Sequence, residues 1–343
     1  MCIRDSFTTR QNIQFNWPKL TDVPTILEEL ASVEMHAIQT SGNCIRNTTT
    51  DQFAGVSPDE IEDSRPYCEL IRQWSSFHPE FAYLPRKFKI AVCGTLTDQA
   101  ATQVHDIGIY LKAGPKNKIG FQILAGGGLG RTPMIGKEVF DFVEKRHLLT
   151  ALEAILRVYN RLGRRDNKYK ARIKILVKET GIDEFKNLVM QEWNQIKDGP
   201  LTLTEDEITR CKNYFLEANY EKLENHPKIL KSELEKNLLF NAWFEQNVHQ
   251  HKKAGYSIVT ICFKQTGIAP GDITDSQLEF VADLADKYSF GEVRITHHQN
   301  IVLADVKQSD LPSLWQKLNN NSLSCLLYTS DAADEGLGVD LGG

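Results

Sequence analysis

Apolar positions along this chain recur in two rhythms, every second residue and every third or fourth, and the switches between them lay out its elements. Alternation predicts strands over Lys87–Cys93, Asp106–Lys112, Lys118–Ala125 and Tyr256–Phe263. Helical spacing predicts helices near Glu138–Arg146, Leu149–Leu162, Ile182–Ile196, Glu205–Phe215 and Thr274–Tyr288, the last with Thr274 and Asp275 as candidate caps. Strands over Glu292–Thr296 and Asn300–Val306 and a helix from Asp310 complete the pattern. The stretch Glu221–Lys253 is charged and poorly periodic, and it reads as a linker.

An internal repeat organises these elements. Phe7–Leu30 superposes without a gap on Ile295–Leu318, with identities at Thr8/Thr296, Gln11/Gln299, Asn12/Asn300, Ile13/Ile301, Lys19/Lys307, Asp22/Asp310, Pro24/Pro312 and Leu30/Leu318. Two distant copies indicate two equivalent halves related by a pseudo-twofold, since solenoid repeats are far shorter. The second copy reads strand-helix-strand-strand-helix, the ferredoxin-like order. The fold class predicted is α+β, with two ferredoxin-like half-domains flanking a larger α/β domain. Residues 7–40 hold the C-terminal part of the first half-domain, 41–220 the larger domain, 221–253 the linker and 254–324 the second half-domain.

The two ends read as translated sequencing adapter. Residues 1–6 can be written ATG TGT ATA AGA GAC AG, and Cys325–Ser330 as the reverse complement of that stretch in their overlap. On this reading residues 1–6 and 325–343 are adapter-derived, and the insert is an internal fragment of a longer protein.

Composition narrows the function classes. Forty basic against forty-five acidic side chains give a net charge of −5, so no global positive field exists to hold nucleic acid. No stretch of 18 uninterrupted apolar residues and no secretory signal pattern are present, which predicts a cytoplasmic protein with no membrane partner. Seven cysteines without C-x-x-C spacing argue against a disulfide framework or zinc knuckle, and most read as small buried hydrophobes.

Cationic side chains then become informative because they converge. Period-2 geometry sends Lys87 and Lys89 to one face while Phe88 and Ile90 face the core. From the motif alone a solvated surface pair is the bland alternative. The same geometry over Thr8–Phe15 groups Arg10, Asn12 and Gln14, and the second copy has His298 and Val302 in place of Arg10 and Gln14. One half is thus equipped for an anion and its twin is not. Arg46 sits in a polar loop, a common place for function, although an arginine capping the preceding helix fits the local sequence equally well.

Five segments in this order, Thr8-Thr9-Arg10-Gln11, Gly42-Asn43-Cys44-Ile45-Arg46-Asn47, Leu84-Pro85-Arg86-Lys87-Phe88-Lys89, Gly126-Gly127-Gly128-Leu129 and Ala171-Arg172-Ile173-Lys174, make the chain resemble the sirohaem-dependent nitrite and sulfite reductases. The resemblance spans essentially the whole insert. It implies sirohaem and a 4Fe-4S cluster, with six-electron reduction of sulfite to sulfide or of nitrite to ammonia. It places Arg46, Lys87 and Lys89 around the anion as catalytic residues. Arg10, Gln14, Arg86 and Arg172 become partners of sirohaem carboxylates. Gly127 and Gly128 let backbone approach the macrocycle, and Gln299 reaches the same cofactor. Nitrite-reducing relatives typically carry Asn where this chain has Lys89, so the expectation is an assimilatory sulfite reductase, with ferredoxin-type nitrite reduction as the alternative. The electron donor implied is ferredoxin or an NADPH-dependent flavoprotein.

The family's cluster ligands, a C-x5-C pair followed by a C-x3-C pair, do not occur in the sequence, and none of its cysteines is nominated as a metal ligand. Those ligand cysteines are expected downstream of Ser324, and the fragment alone is expected to be inactive. The glycine run lacks the Lys-Ser/Thr ending of a phosphate loop and the spacing of a dinucleotide fingerprint. The histidine pairs His249/His251 and His297/His298 read as surface residues. The basic run Arg161–Lys178 sustains a rival from another class, a non-catalytic anion- or nucleic-acid-binding module, weakened by a single interleaved aromatic, Tyr169.

Overall fold

In the computed structural model of this chain, residues 5–264 and 267–327 are described. They form two compact units, one from the residues up to Asn16 together with those from Tyr220 onward, the other spanning Trp17–Asn219. In chain order, β1 (Asp5–Phe7) and β2 (Ile13–Gln14) make a hairpin, followed by α1 (Val23–Ser32). The second unit continues with β3 (Thr49–Thr50), α2 (Arg65–Ser75), β4 (Ile90–Cys93), β5 (Ile107–Ala113), β6 (Ile119–Ala125) and β7 (Lys137–Glu144). Helices α3 (Leu148–Leu162), α4 (Ile173–Thr180), α5 (Ile182–Ile196) and α6 (Glu205–Lys212) follow. The first unit resumes with α7 (Lys228–Lys236), α8 (Leu238–Asn247), β8 (Val248–Gln250), β9 (Tyr256–Ile261), β10 (Asp272–Ile273), α9 (Asp275–Tyr288), β11 (Arg294–Ile295), β12 (Ile301–Lys307) and α10 (Leu311–Asn320).

The second unit is built on a five-stranded sheet in the order β3-β4-β5-β6-β7, parallel from β3 to β5 and antiparallel from β5 to β7. Its core packs Phe88, Ile90, Val92, Ile107, Ile109 and Ile123 against the face of α3 that carries Leu152, Ile155 and Tyr159. The first unit holds the sheet β11-β12-β9-β8 and the smaller sheet β10-β1-β2. Thr274 caps α9 reciprocally with Gln277, so this helix starts where its capping signal lies in the sequence.

The repeat holds at the level of single hydrogen bonds. Ser6 and Phe7 pair with Gln14 and Ile13, as Arg294 and Ile295 pair with Val302 and Ile301. In each hairpin the first Thr amide donates to the Asn carbonyl (2.8 Å for Thr8 to Asn12, 2.9 Å for Thr296 to Asn300). Gln11 and Gln299 both turn at positive φ, 56° and 65°. The copies part after that. Helix α10 buries Leu311, Leu314 and Leu318, whereas its equivalent α1 has no buried residue and belongs to the other unit.

Three expectations are corrected. Residues Lys137–Glu144 form strand β7 where a helix near Glu138–Arg146 was predicted. Register shifts between β7 and β6 interrupt the alternation, so Val139, Phe140 and Val143 are all buried and imitate a helical spacing. The predicted linker 221–253 carries α7, α8 and β8, and Leu230, Phe240 and Trp243 lie in the first unit's core. Residues 17–40, assigned to the first half-domain, group with the second unit. Of the segments read as adapter, residues 1–4 and 328–343 lie outside the described residues. Asp5 and Ser6 pair with Ile273 and Asp272 in the antiparallel ladder of β1 and β10, and Asn247 bonds the Cys325 carbonyl (2.9 Å) and the Leu327 amide (3.3 Å).

Candidate functional site

Arg46 and Lys87 are brought together by two segments that zip along one another. The Arg46 amide donates to the Phe88 carbonyl (2.8 Å), the Phe88 amide to the Cys44 carbonyl (3.0 Å), and the Leu84 amide to the Asn43 carbonyl (2.8 Å). Phe88 and Ile90 are fully buried, so the alternation expected at the entry to β4 leaves Lys87 and Lys89 half-buried on its other side. Arg86 reaches back to the Asn43 side chain at 3.4 Å. The Arg46 guanidinium donates to the carbonyls of Thr40 and Gly42, bracing its own loop rather than capping α1. Among the described residues its Nε, and Thr48 Oγ1 two residues on, are buried without a hydrogen-bond partner.

Charge accumulates here. Lys87 faces Arg172, Arg46 and Arg86, with Asp106 as the opposing carboxylate, and burial together with the three guanidiniums pushes its ammonium below the ordinary lysine range. No hydrogen bond or ion pair to the Lys87 ammonium is found among the described residues. Lys174 is buried too, and its Nζ donates to the Leu129 (2.9 Å) and Thr132 (2.7 Å) carbonyls, clamping the glycine-rich loop.

That loop begins at Gly126, whose φ of 86° favours glycine, and its amide donates to the Asp106 carbonyl at 2.9 Å. A Cβ on Gly127 would stand 2.4 Å from the carbonyl oxygens of Gln103 and His105, so this glycine answers to packing. A Cβ on Gly128 would instead project toward Lys174 (3.1 Å) and Arg172 (3.4 Å), into the cationic face. Arg172 itself is committed. Its Nε donates to Asp106 Oδ1 at 2.9 Å and its Nη2 lies 2.7 Å from the same oxygen, while Asp106 is 0% exposed. Tyr159, whose ring meets that of Phe88 at a tilt, donates its hydroxyl to the Ala171 carbonyl (2.8 Å) and so fixes where Arg172 leaves the chain.

Sequence reasoning missed Asp106, Tyr159 and Lys174 as parts of this arrangement. Lys174 stood in a quoted motif, but a buried aspartate and a buried tyrosine carry no local signal. Arg10, Gln14 and Gln299 lie in the first unit. The stretch Thr8–Phe15 is a turn followed by the short β2, so the predicted common face for Arg10, Asn12 and Gln14 does not form. Arg10 is half-buried in that turn, Gln14 is exposed with its amide on Asn16 (2.9 Å), and Gln299 donates to the Phe7 (2.8 Å) and Pro270 (3.0 Å) carbonyls. His251 is buried against Asp305 (3.2 Å) and His249 is half-buried, so the surface reading is wrong for this pair.

Comparison with known proteins gives the class. Residues 41–197 match the family described as "Nitrite and sulphite reductase 4Fe-4S domain" and residues 249–321 the "Nitrite/Sulfite reductase ferredoxin-like half domain". The chain therefore belongs to the nitrite and sulfite reductase family of oxidoreductases. It is 30% identical over 317 residues to the chloroplastic ferredoxin–nitrite reductase of Arabidopsis thaliana, covering 90% of this chain and 48% of that one. It is 27% identical over 335 residues to sulfite reductase [ferredoxin] 1 of Mycolicibacterium paratuberculosis, covering 92% and 52%. The solved structure of the NirA protein of Mycobacterium tuberculosis matches with a TM-score of 0.72 at 26% identity, over 94% of this chain and 52% of that one. The chain thus spans about half the length of the curated relatives it matches.

The residues fit the family's macrocycle and not its cluster. A flat polycarboxylate suits the partnerless Arg46 Nε and Thr48 Oγ1 and the converging guanidiniums. For a cluster, no group of three or more His, Cys, Asp or Glu side chains is placed to hold a metal among the described residues. Nor is any helix there long and apolar enough to cross a membrane.

Proposed function

We propose that this chain carries the anion-binding face of a sirohaem-dependent assimilatory sulfite reductase. The observation that carries the reading is the convergence of Arg46, Arg86 and Lys87 on one half-buried face whose facing carboxylate, Asp106, is already engaged by Arg172. A small oxyanion is the ligand such a surplus of positive charge stabilises. Sirohaem, when bound, would relay the donor's electrons to the anion.

The protein's own part is electrostatic and protic. Arg46 and Lys87 hold the anion by charge-assisted hydrogen bonds, and Arg46 already has its other nitrogens fixed on loop carbonyls, so little order is lost on binding. Balanced, sulfite takes six electrons and seven protons to give hydrogen sulfide anion and three waters. Seven protons must therefore reach the anion in each turnover. An ammonium held below its usual range is a stronger acid, and Lys87 Nζ is the donor for oxygens leaving as water. Arg86 and the free edge of Arg172 take carboxylates of the macrocycle, and the backbone at Gly128 allows it to lie close. Lys89 adds a second ammonium, which favours doubly charged sulfite over nitrite.

Nitrite reduction is the second reading, favoured by the identity to chloroplastic ferredoxin–nitrite reductases. Ferredoxin is the proposed donor on the names of these relatives, and the NADPH flavoprotein is the alternative. The test is to purify the full-length protein containing this chain, record its visible spectrum and compare sulfite with nitrite turnover. A sirohaem spectrum with sulfite preferred supports the proposal. A colourless protein that takes up no sirohaem refutes it and leaves the rival, a plain anion- or nucleic-acid-binding module.

A further inference from the structure

Asp106 touches three pieces of the candidate site at once. Its Oδ2 accepts the Lys89 backbone amide at 2.8 Å, its carboxylate takes Arg172 through two guanidinium nitrogens at 2.7–2.9 Å, and its carbonyl accepts the Gly126 amide at 2.9 Å. The Ile107 amide returns a bond to the Lys89 carbonyl at 3.1 Å, so the two segments are locked in both directions. Asp106 is 0% exposed and immediately precedes β5, the middle strand of the five-stranded sheet. A carboxylate buried so completely is costly unless it is paired, and here every partner is a group that the site needs in place.

We propose that Asp106 is a positioning residue of the anion site: one buried carboxylate sets the Lys87–Lys89 segment, the Arg172 fork and the glycine-rich turn in mutual register and tempers the positive charge that Lys87 presents. The carboxylate that pairs with Arg172 also offsets part of the repulsion this guanidinium exerts on Lys87. The geometry explains why a strand entry with two lysines keeps one conformation: the Lys89 amide is tied before the regular ladder of β4 begins.

The proposal rests on the anion-site reading, but its test needs no turnover. Charged groups facing Lys87 are Arg172, Arg46 and Arg86 on the cationic side and Asp106 on the other. Asp106→Asn keeps an acceptor for the Lys89 amide while deleting the charge. The Lys87 amine is then titrated in the whole chain by competitive acetylation read by mass spectrometry, with Lys112, a surface lysine, as internal reference. The expected result is a Lys87 midpoint lowered by about one pH unit, so that acetylation near pH 8 is about tenfold faster, with Lys112 unmoved. A purely structural aspartate leaves the Lys87 midpoint unchanged in folded protein, and that result overturns the proposal. Should Asp106→Asn not fold, the wild-type chain is titrated with acid by NMR. The Lys89 amide and the Lys87 side-chain nitrogen must then share an inflection, and its absence overturns the proposal equally. A failed reductase assay with a shifted Lys87 midpoint rejects the reductase reading and leaves Asp106 in this role.

Discussion

Replacing Arg172 by Met isolates the cost of the Asp106 pair. The substitution keeps a stem of similar length and removes the guanidinium that lies 2.7–2.9 Å from a fully buried carboxylate. What remains for Asp106 is the Lys89 amide at 2.8 Å. Breaking a buried pair by removing one partner typically costs about 3–5 kcal/mol, because the other charge stays uncompensated. For a unit of roughly 200 residues each kcal/mol moves the midpoint by about 2–4 °C, so a loss near 10 °C is expected. Calorimetry reads this as a lowered midpoint, both paired residues lying in the unit spanning Trp17–Asn219. The sign of the pH dependence is also fixed. Burial already holds the Asp106 carboxyl above the ordinary carboxylate range, and loss of Arg172 raises it further. A raised folded-state value means that the folded protein takes up a proton the unfolded one has released, so the variant recovers stability as pH falls through the folded-state value toward the ordinary carboxylate range. Adding Asp106→Asn to Arg172→Met should recover much of the loss. A single variant within about 1 kcal/mol of wild type, or a double variant no better than the single, refutes the reasoning.

Other outcomes follow from the same geometry. Lys87→Met should raise the thermal midpoint of the ligand-free chain at pH 7, since a lysine depressed in the folded state contributes destabilisation that is relieved only as pH rises past its folded-state value; differential scanning fluorimetry from pH 7 to 10 checks the direction. In the full-length holoenzyme the same change should lower sulfite turnover by about 10²–10³ with sirohaem content retained, which steady-state kinetics and the visible spectrum measure together. Lys89→Asn should move the ratio of sulfite to nitrite kcat/KM toward nitrite; an unchanged ratio removes the basis for preferring sulfite. Gly127→Ala should destabilise far more than Gly128→Ala, because the first collides with two carbonyl oxygens at 2.4 Å and the second meets side chains that can give. Chemical denaturation ranks the two.

The equivalence of the two half-domain hairpins was legible because the repeat compares the chain with itself, and Thr8, Gln11 and Asn12 make the bonds that Thr296, Gln299 and Asn300 make; the turn that breaks Thr8–Phe15 was not legible. Capping at Thr274 was equally plain, since a cap is a contact between residues three apart. Strand β7 was misread because a register shift, a property of two paired strands, altered a periodicity visible in only one. The supposed linker failed for a related reason. Leu230, Phe240 and Trp243 are sparse within their segment and become a core only when β9 and α10 arrive to cover them.

The sequence by itself determined the pairing of the repeat, the capped start of α9 and the set of cations gathered in five motifs, all matters of local spacing. Tertiary structure alone decided which of those cations stay available. Arg172 is spent on Asp106, 66 residues away along the chain, Lys174 on the carbonyls of a distant turn, and Lys87 is left facing three guanidiniums. Side-chain charge is written in the sequence, but neutralisation depends on what else is within a few ångströms, and in a buried setting that proximity is set by the packing of the whole sheet.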